Sequence, residues 1–70
     1  MESFDDLADE VAALERRIAD AIFDTVRAQL RGDGADNAKE LERELSKVRR
    51  SLQKAEHLLR RRGADEEIDG

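Results

Sequence analysis

Apolar residues in the first half of the chain fall at Phe4, Leu7, Val11, Leu14, Ile18, Ile22, Val26 and Leu30, in steps of three and four with a run of fours toward the end. In the second half they fall at Ala38, Leu41, Leu45, Val48, Leu52, Ala55 and Leu59, where threes and fours alternate without a fault. Such steps put side chains on one face of an α-helix, and strict alternation is the a/d pattern of a coiled coil. No segment alternates with period two, so strands are not expected. The spacing predicts a first helix over about 3–31 and a second over about 37–62. Ser3 is expected to cap the first, with Asp6 at the capping-box position and Asp5 and Asp6 at the positive end of the helix dipole. Gly32 reads as its stop, residues 32–36 as a turn, and Asn37 with Glu40 as a second capping box. Gly63 reads as the end of the second helix, leaving 63–70 as an acidic tail that is expected to be disordered.

A turn this short makes the helices antiparallel, so the fold class is all-α: a single-domain two-helix hairpin, or coiled coil. The first helix also carries Ala8, Ala12, Ala19 and Phe23 beside its main seam. A stripe this wide asks for further helices. The expectation is a homodimer closing into a four-helix assembly, with Phe4 and Phe23 in the core; a lone two-helix coiled coil is the simpler alternative.

Composition narrows the classes of function. The chain has 70 residues, a net charge of −5, 44% charged and 39% apolar residues, and no Cys or Pro. That length holds one domain with a small core, for which a partner chain is the usual support. Without cysteine there is no disulfide framework, thiolate metal site or Cys nucleophile. No apolar stretch is long enough to span a membrane, and MESFDDLADE lacks the features of a signal peptide, so a cytoplasmic protein is expected. His57 is the single histidine, so no histidine-based metal site is expected, nor any cofactor. With no Ser-His-Asp layout and no glycine-rich phosphate loop, the chain is not expected to be an enzyme.

Charge is sorted along the chain. Residues 1–31 hold eight acids and four bases, whereas residues 39–62 hold nine bases and four acids. The plain explanation is that the basic helix pairs with the acidic one. The functional one is that the second helix binds an anion. Direct binding of duplex DNA is not expected, because the acidic helix and tail repel it; a small phosphate ligand senses only the local field.

One row of the second helix stands out by residue type: Glu42, Ser46, Arg49 and Gln53, followed by His57. Steps of four, three and four put the first four on one face, about 100° from the Leu41–Leu45–Val48–Leu52 seam. Arg49 can hold guanine O6 and N7, stack on a base or pair with phosphate. Glu42 can accept from the N–H donors of guanine, and Ser46 and Gln53 can bond to phosphate or base edges. Alternatively, these four are ordinary residues of a solvated helix face.

The spacing Glu42-x3-Ser46-x2-Arg49-x3-Gln53 resembles the cyclic-di-GMP signature of RsiG, the family of actinobacterial anti-sigma factors that act on the sporulation-type sigma factor WhiG. That signature reads E-x3-S-x2-R-x3-Q-x3-D on a helix of an antiparallel hairpin. Four of its five positions match, and His57 stands where the family has an acid, with Glu56 one residue away. Better-known members are longer and carry one copy on each helix, whereas the first helix here has none. The resemblance therefore implies a site completed by two chains, with two cyclic-di-GMP molecules per homodimer lying across the motif helices. It places Glu42, Ser46, Arg49, Gln53 and His57 at the ligand, with Arg50 and Arg60 among the bases that meet its phosphates. It further implies that the loaded dimer grips a WhiG-type sigma factor and keeps it from RNA polymerase. From charge alone, Asp9, Glu10, Asp20 and Asp24 are expected to cover basic DNA-reading surfaces of that partner. The competing readings are a ligand-free coiled-coil adaptor and a small antitoxin or DNA-associated helical protein.

Overall fold

The computed structural model describes the backbone of residues 3–69 and side chains as far as Asp65. It is all-helical: α1 spans Phe4–Arg31 and α2 spans Ala35–Asp69, packed against each other. The molecule is a rod of 55 × 15 × 15 Å. No helix among the described residues is long and apolar enough to cross a membrane.

The start of α1 follows from its sequence. Ser3 is extended, and its Oγ accepts from the Asp6 amide at 3.0 Å, which satisfies a backbone donor that the first turn leaves open. Its end does too. Gly32 takes φ 78°, and the amides of Gly32 and Asp33 donate back to Gln29 and Ala28 carbonyls, both at 3.1 Å. This is a Schellman stop, which needs a left-handed residue and so favours glycine.

The second helix departs from expectation at both ends. Gly34 also takes positive φ, 56°, and its carbonyl accepts from Ala38 N–H at 2.9 Å. The first turn of α2 thus closes over Gly34, and Asn37 lies inside the helix rather than capping it. At the other end Gly63 does not stop the helix. It lacks positive φ, and α2 continues through the expected tail to Asp69, while Gly70 lies outside the described residues. Here glycine serves close approach. A Cβ on Gly63 would run into the Asp5 carboxylate, with Cγ of Asp5 only 2.9 Å away.

Packing also differs from the expected seams. The inward row of α1 is Phe4–Ala8–Val11–Glu15–Ile18–Ile22–Thr25–Gln29, and none of these is exposed. Leu14 and Leu30, expected in the seam, are 41% and 84% exposed, and Phe23, expected in the core, is 58% exposed. The run of fours explains the leucines. Each step of four advances about 40° around the helix, so Leu14 and Leu30 end about 160° apart and cannot face one neighbour. Phe23 instead lies under the Arg27 guanidinium, 4.9 Å from its ring centre.

On α2 the inward row is Ala38, Glu42, Leu45, Leu52, Glu56, Leu59 and Gly63. Leu41 and Val48 are 51% and 44% exposed. The helix is rolled about 50° from the a/d seam, so half of the apolar heptad packs and half lies on a flank. Among the described residues, Ala8, Thr25, Ala38 and Gly63 are the buried ones. Thr25 is accommodated because its hydroxyl donates to the Ile22 carbonyl at 2.6 Å.

Candidate functional site

The roll of α2 gives the hairpin two unlike flanks. One carries Leu41, Val48 and Ala55 from α2 beside Leu7 and Leu14 from α1. The other carries the polar stripe, and Ala12, Ala19 and Val26 of α1 form the wall beside it. Side-chain contacts between the helices set this register. Gln29 Nε2 donates to Glu42 Oε1 at 2.7 Å, and Arg60 donates to Asp9 Oδ1 at 3.2 Å.

The stripe is brought together but not uniformly exposed. Glu42 is half-buried on the inward row and bonded to Gln29, and Ser46 is half-buried beside it. Arg49, Gln53, His57 and Arg50 are exposed. Among the described residues, Ser46, Arg49 and Gln53 make no side-chain hydrogen bond within the protein. A shallow dent of about 400 Å³ runs along this helix, lined by Glu42, Arg43, Ser46, Lys47 and Arg50 among others. Its walls are long charged side chains rather than an enclosing fold. Arg60, expected among the phosphate-contacting bases, is engaged: Nε donates to Glu56 Oε2 at 2.8 Å and Nη2 to Asp9. Glu56, the acid next to the signature's last position, turns into the helix interface and is not free beside His57.

Glu56 there meets Glu15. Glu15 Oε2 is buried without a donor. A hydrogen bond with Glu56 holds the Glu15 carboxyl above the usual carboxylate range, helped by burial and by the Glu56 charge, against the opposing charges of Arg49 and Arg60. Glu56 is held below that range by the same bond and by Arg60. Of the two, Glu15 is the one that takes up a proton more readily, and that proton is the one the pair can share. Arg49 of the stripe lies within the field of this pair. The Glu15–Glu56 and Gln29–Glu42 stations stand two heptads apart on each helix. The sequence reading passed over Glu15 and Gln29; the signal was two long polar residues, two heptads apart, in a stripe otherwise apolar but for Thr25.

Among the described residues no group of three or more His, Asp or Glu could hold a metal ion. Comparison with known proteins finds no matching family model and no match among curated proteins or solved structures.

Proposed function

We propose that this chain is a cytoplasmic, non-catalytic, cyclic-di-GMP-binding anti-sigma factor of the RsiG type, which captures a WhiG-type sigma factor when loaded. The observation that carries this reading is the stripe itself. A carboxylate, a hydroxyl, a guanidinium and an amide lie in one line along α2, and among the described residues three of them make no internal side-chain hydrogen bond. Together they match the donors and acceptors of a guanine and a phosphate. The α1 wall beside them, Ala12, Ala19 and Val26, is apolar and carries no charge.

The second chain enters as a homodimer. A compact protein of 7.9 kDa exposes about 4,400 Å², and this chain exposes 5561 Å². The excess is comparable to what one partner contributes to a stable interface, about 800 Å² or more. Two stripes meeting around two ligand molecules make a four-helix assembly. The loaded assembly holds the sigma factor because ligand fixes one relative orientation of the chains.

Calorimetry with cyclic-di-GMP tests this. One ligand per chain, lost in Arg49→Ala, is the expected result; undiminished binding in that variant overturns the site. The apolar flank favours a second reading, a coiled-coil adaptor that binds protein without ligand. A sigma-factor pull-down that ignores added dinucleotide decides for the adaptor.

A further inference from the structure

We infer that Gln29 is a built-in competitor for the ligand, a positioning residue that occupies Glu42 in the free protein. This rests on the stripe being the nucleotide site. Gln29 reaches from α1 to the other helix and places an amide N–H on Glu42 Oε1 at 2.7 Å, in a half-buried setting. A neutral N–H donor is what guanine also presents, as two parallel donors on its Watson–Crick edge. A carboxylate takes such an edge with both oxygens side by side, as it takes the paired N–H donors of arginine. Gln29 already donates to Oε1, one of the two oxygens that this pairing uses. A guanine edge that takes both oxygens therefore competes with Gln29 for Oε1, and binding exchanges a contact between helices for a contact to ligand.

Two consequences follow. The affinity of the wild-type protein is reduced by the hydrogen bond that must break. Ligand also removes the Gln29 bond between the helices near the turn, while the apolar packing there and the Glu15–Glu56 and Arg60–Asp9 contacts farther along still hold the hairpin. Ser46, Arg49 and Gln53 have no comparable internal bond to lose, so Glu42 is the group through which α1 resists the ligand.

The test is calorimetry with cyclic-di-GMP and cyclic-di-AMP on the wild type, Gln29→Met, Gln29→Ala and Glu42→Ala, each checked for helicity. Methionine keeps the length of glutamine and removes the donor. The expected result is cyclic-di-GMP binding tightened about threefold to tenfold in Gln29→Met, the range for one hydrogen bond. Cyclic-di-AMP, whose base edge lacks the paired donors, is unchanged. A purely structural role for Gln29 gives no such selectivity. Equal or weaker cyclic-di-GMP binding in folded Gln29→Met overturns the inference, and Gln29→Ala decides in the same way if the methionine variant fails to fold. If Glu42→Ala loses binding while neither Gln29 variant gains, the inference falls alone. If the wild type does not bind, or Glu42→Ala binds as well as it does, the reading of the stripe falls with it.

Discussion

The carboxyls of Glu15 and Glu56 face each other across the two helices, and the contact shifts them in opposite ways: Glu15 holds its proton more tightly than a free glutamate, and Glu56 more loosely. The pair makes stability depend on pH from both sides. For Glu15 the folded chain binds the proton better than the unfolded chain, so stability falls as pH rises from the ordinary glutamate value through the raised one. For Glu56 the sign reverses, and stability is lost as pH falls through its lowered value. Thermal melts across the acid range are expected to peak near the ordinary glutamate value. In Glu15→Gln the amide donates at every pH, so the decline toward neutrality disappears while the acid-side loss stays. A Glu15→Gln profile that parallels wild type would show that the pair does not titrate as described.

Gly63 and Asp5 are coupled by contact. Alanine in a helix interior is favoured over glycine by about 1 kcal/mol, but here a Cβ must push the Asp5 carboxylate aside. Gly63→Ala is therefore expected to gain little in the wild type and about 1 kcal/mol in an Asp5→Ala background. Urea unfolding of the four proteins in the cycle measures it; strict additivity would mean that the two residues do not touch.

The turn has little tolerance. Gly32→Ala places a Cβ in the left-handed region and is expected to cost about 1 kcal/mol, even though there is open space around it. Ser3→Ala removes the cap from the Asp6 amide and is expected to cost about 1 kcal/mol as well. Both show as lowered denaturation midpoints with an unchanged denaturant slope, since neither alters the surface exposed on unfolding.

The roll of α2 separates leucines that look alike in the heptad. Leu45→Ala and Leu52→Ala remove packing between the helices and are expected to cost at least about 1 kcal/mol more than Leu41→Ala. Leu41→Ser with Val48→Ser should leave the hairpin's own melt nearly unchanged while weakening protein–protein capture in a pull-down. Equal costs at Leu41 and Leu45 would place the heptad seam, not half of it, against α1.

Much of the fold was legible from local chemistry. The Ser3 cap, the Gly32 stop and the antiparallel pair depend on residues close in sequence, which carry their own signals. What was not legible depends on the other helix. Gly63 looks like a stop until Asp5 arrives beside it, and then it is a point of close approach. Leu41 and Val48 belong to a faultless heptad, yet the partner helix takes only one side of it. The stripe was legible as a line of residues from Glu42 to Gln53, but its internal commitments were not, because Gln29 and Asp9 lie far away along the chain. Arg60 was read as a phosphate-contacting base although one of its partners, Glu56, is only four residues away; the other, Asp9, is distant.

The connector between the helices is three residues long, Gly32 to Gly34, and that brevity decides which neighbours the charged groups are allowed. Sliding α2 by one heptad would bring Arg49 to where Glu56 now stands, exchanging an acid facing an acid for an opposite-charge pair. A loop with slack would permit that slip; this one locks the rod in the frame where Glu15 faces another acid, with Arg49 and Arg60 only opposing its shift from nearby.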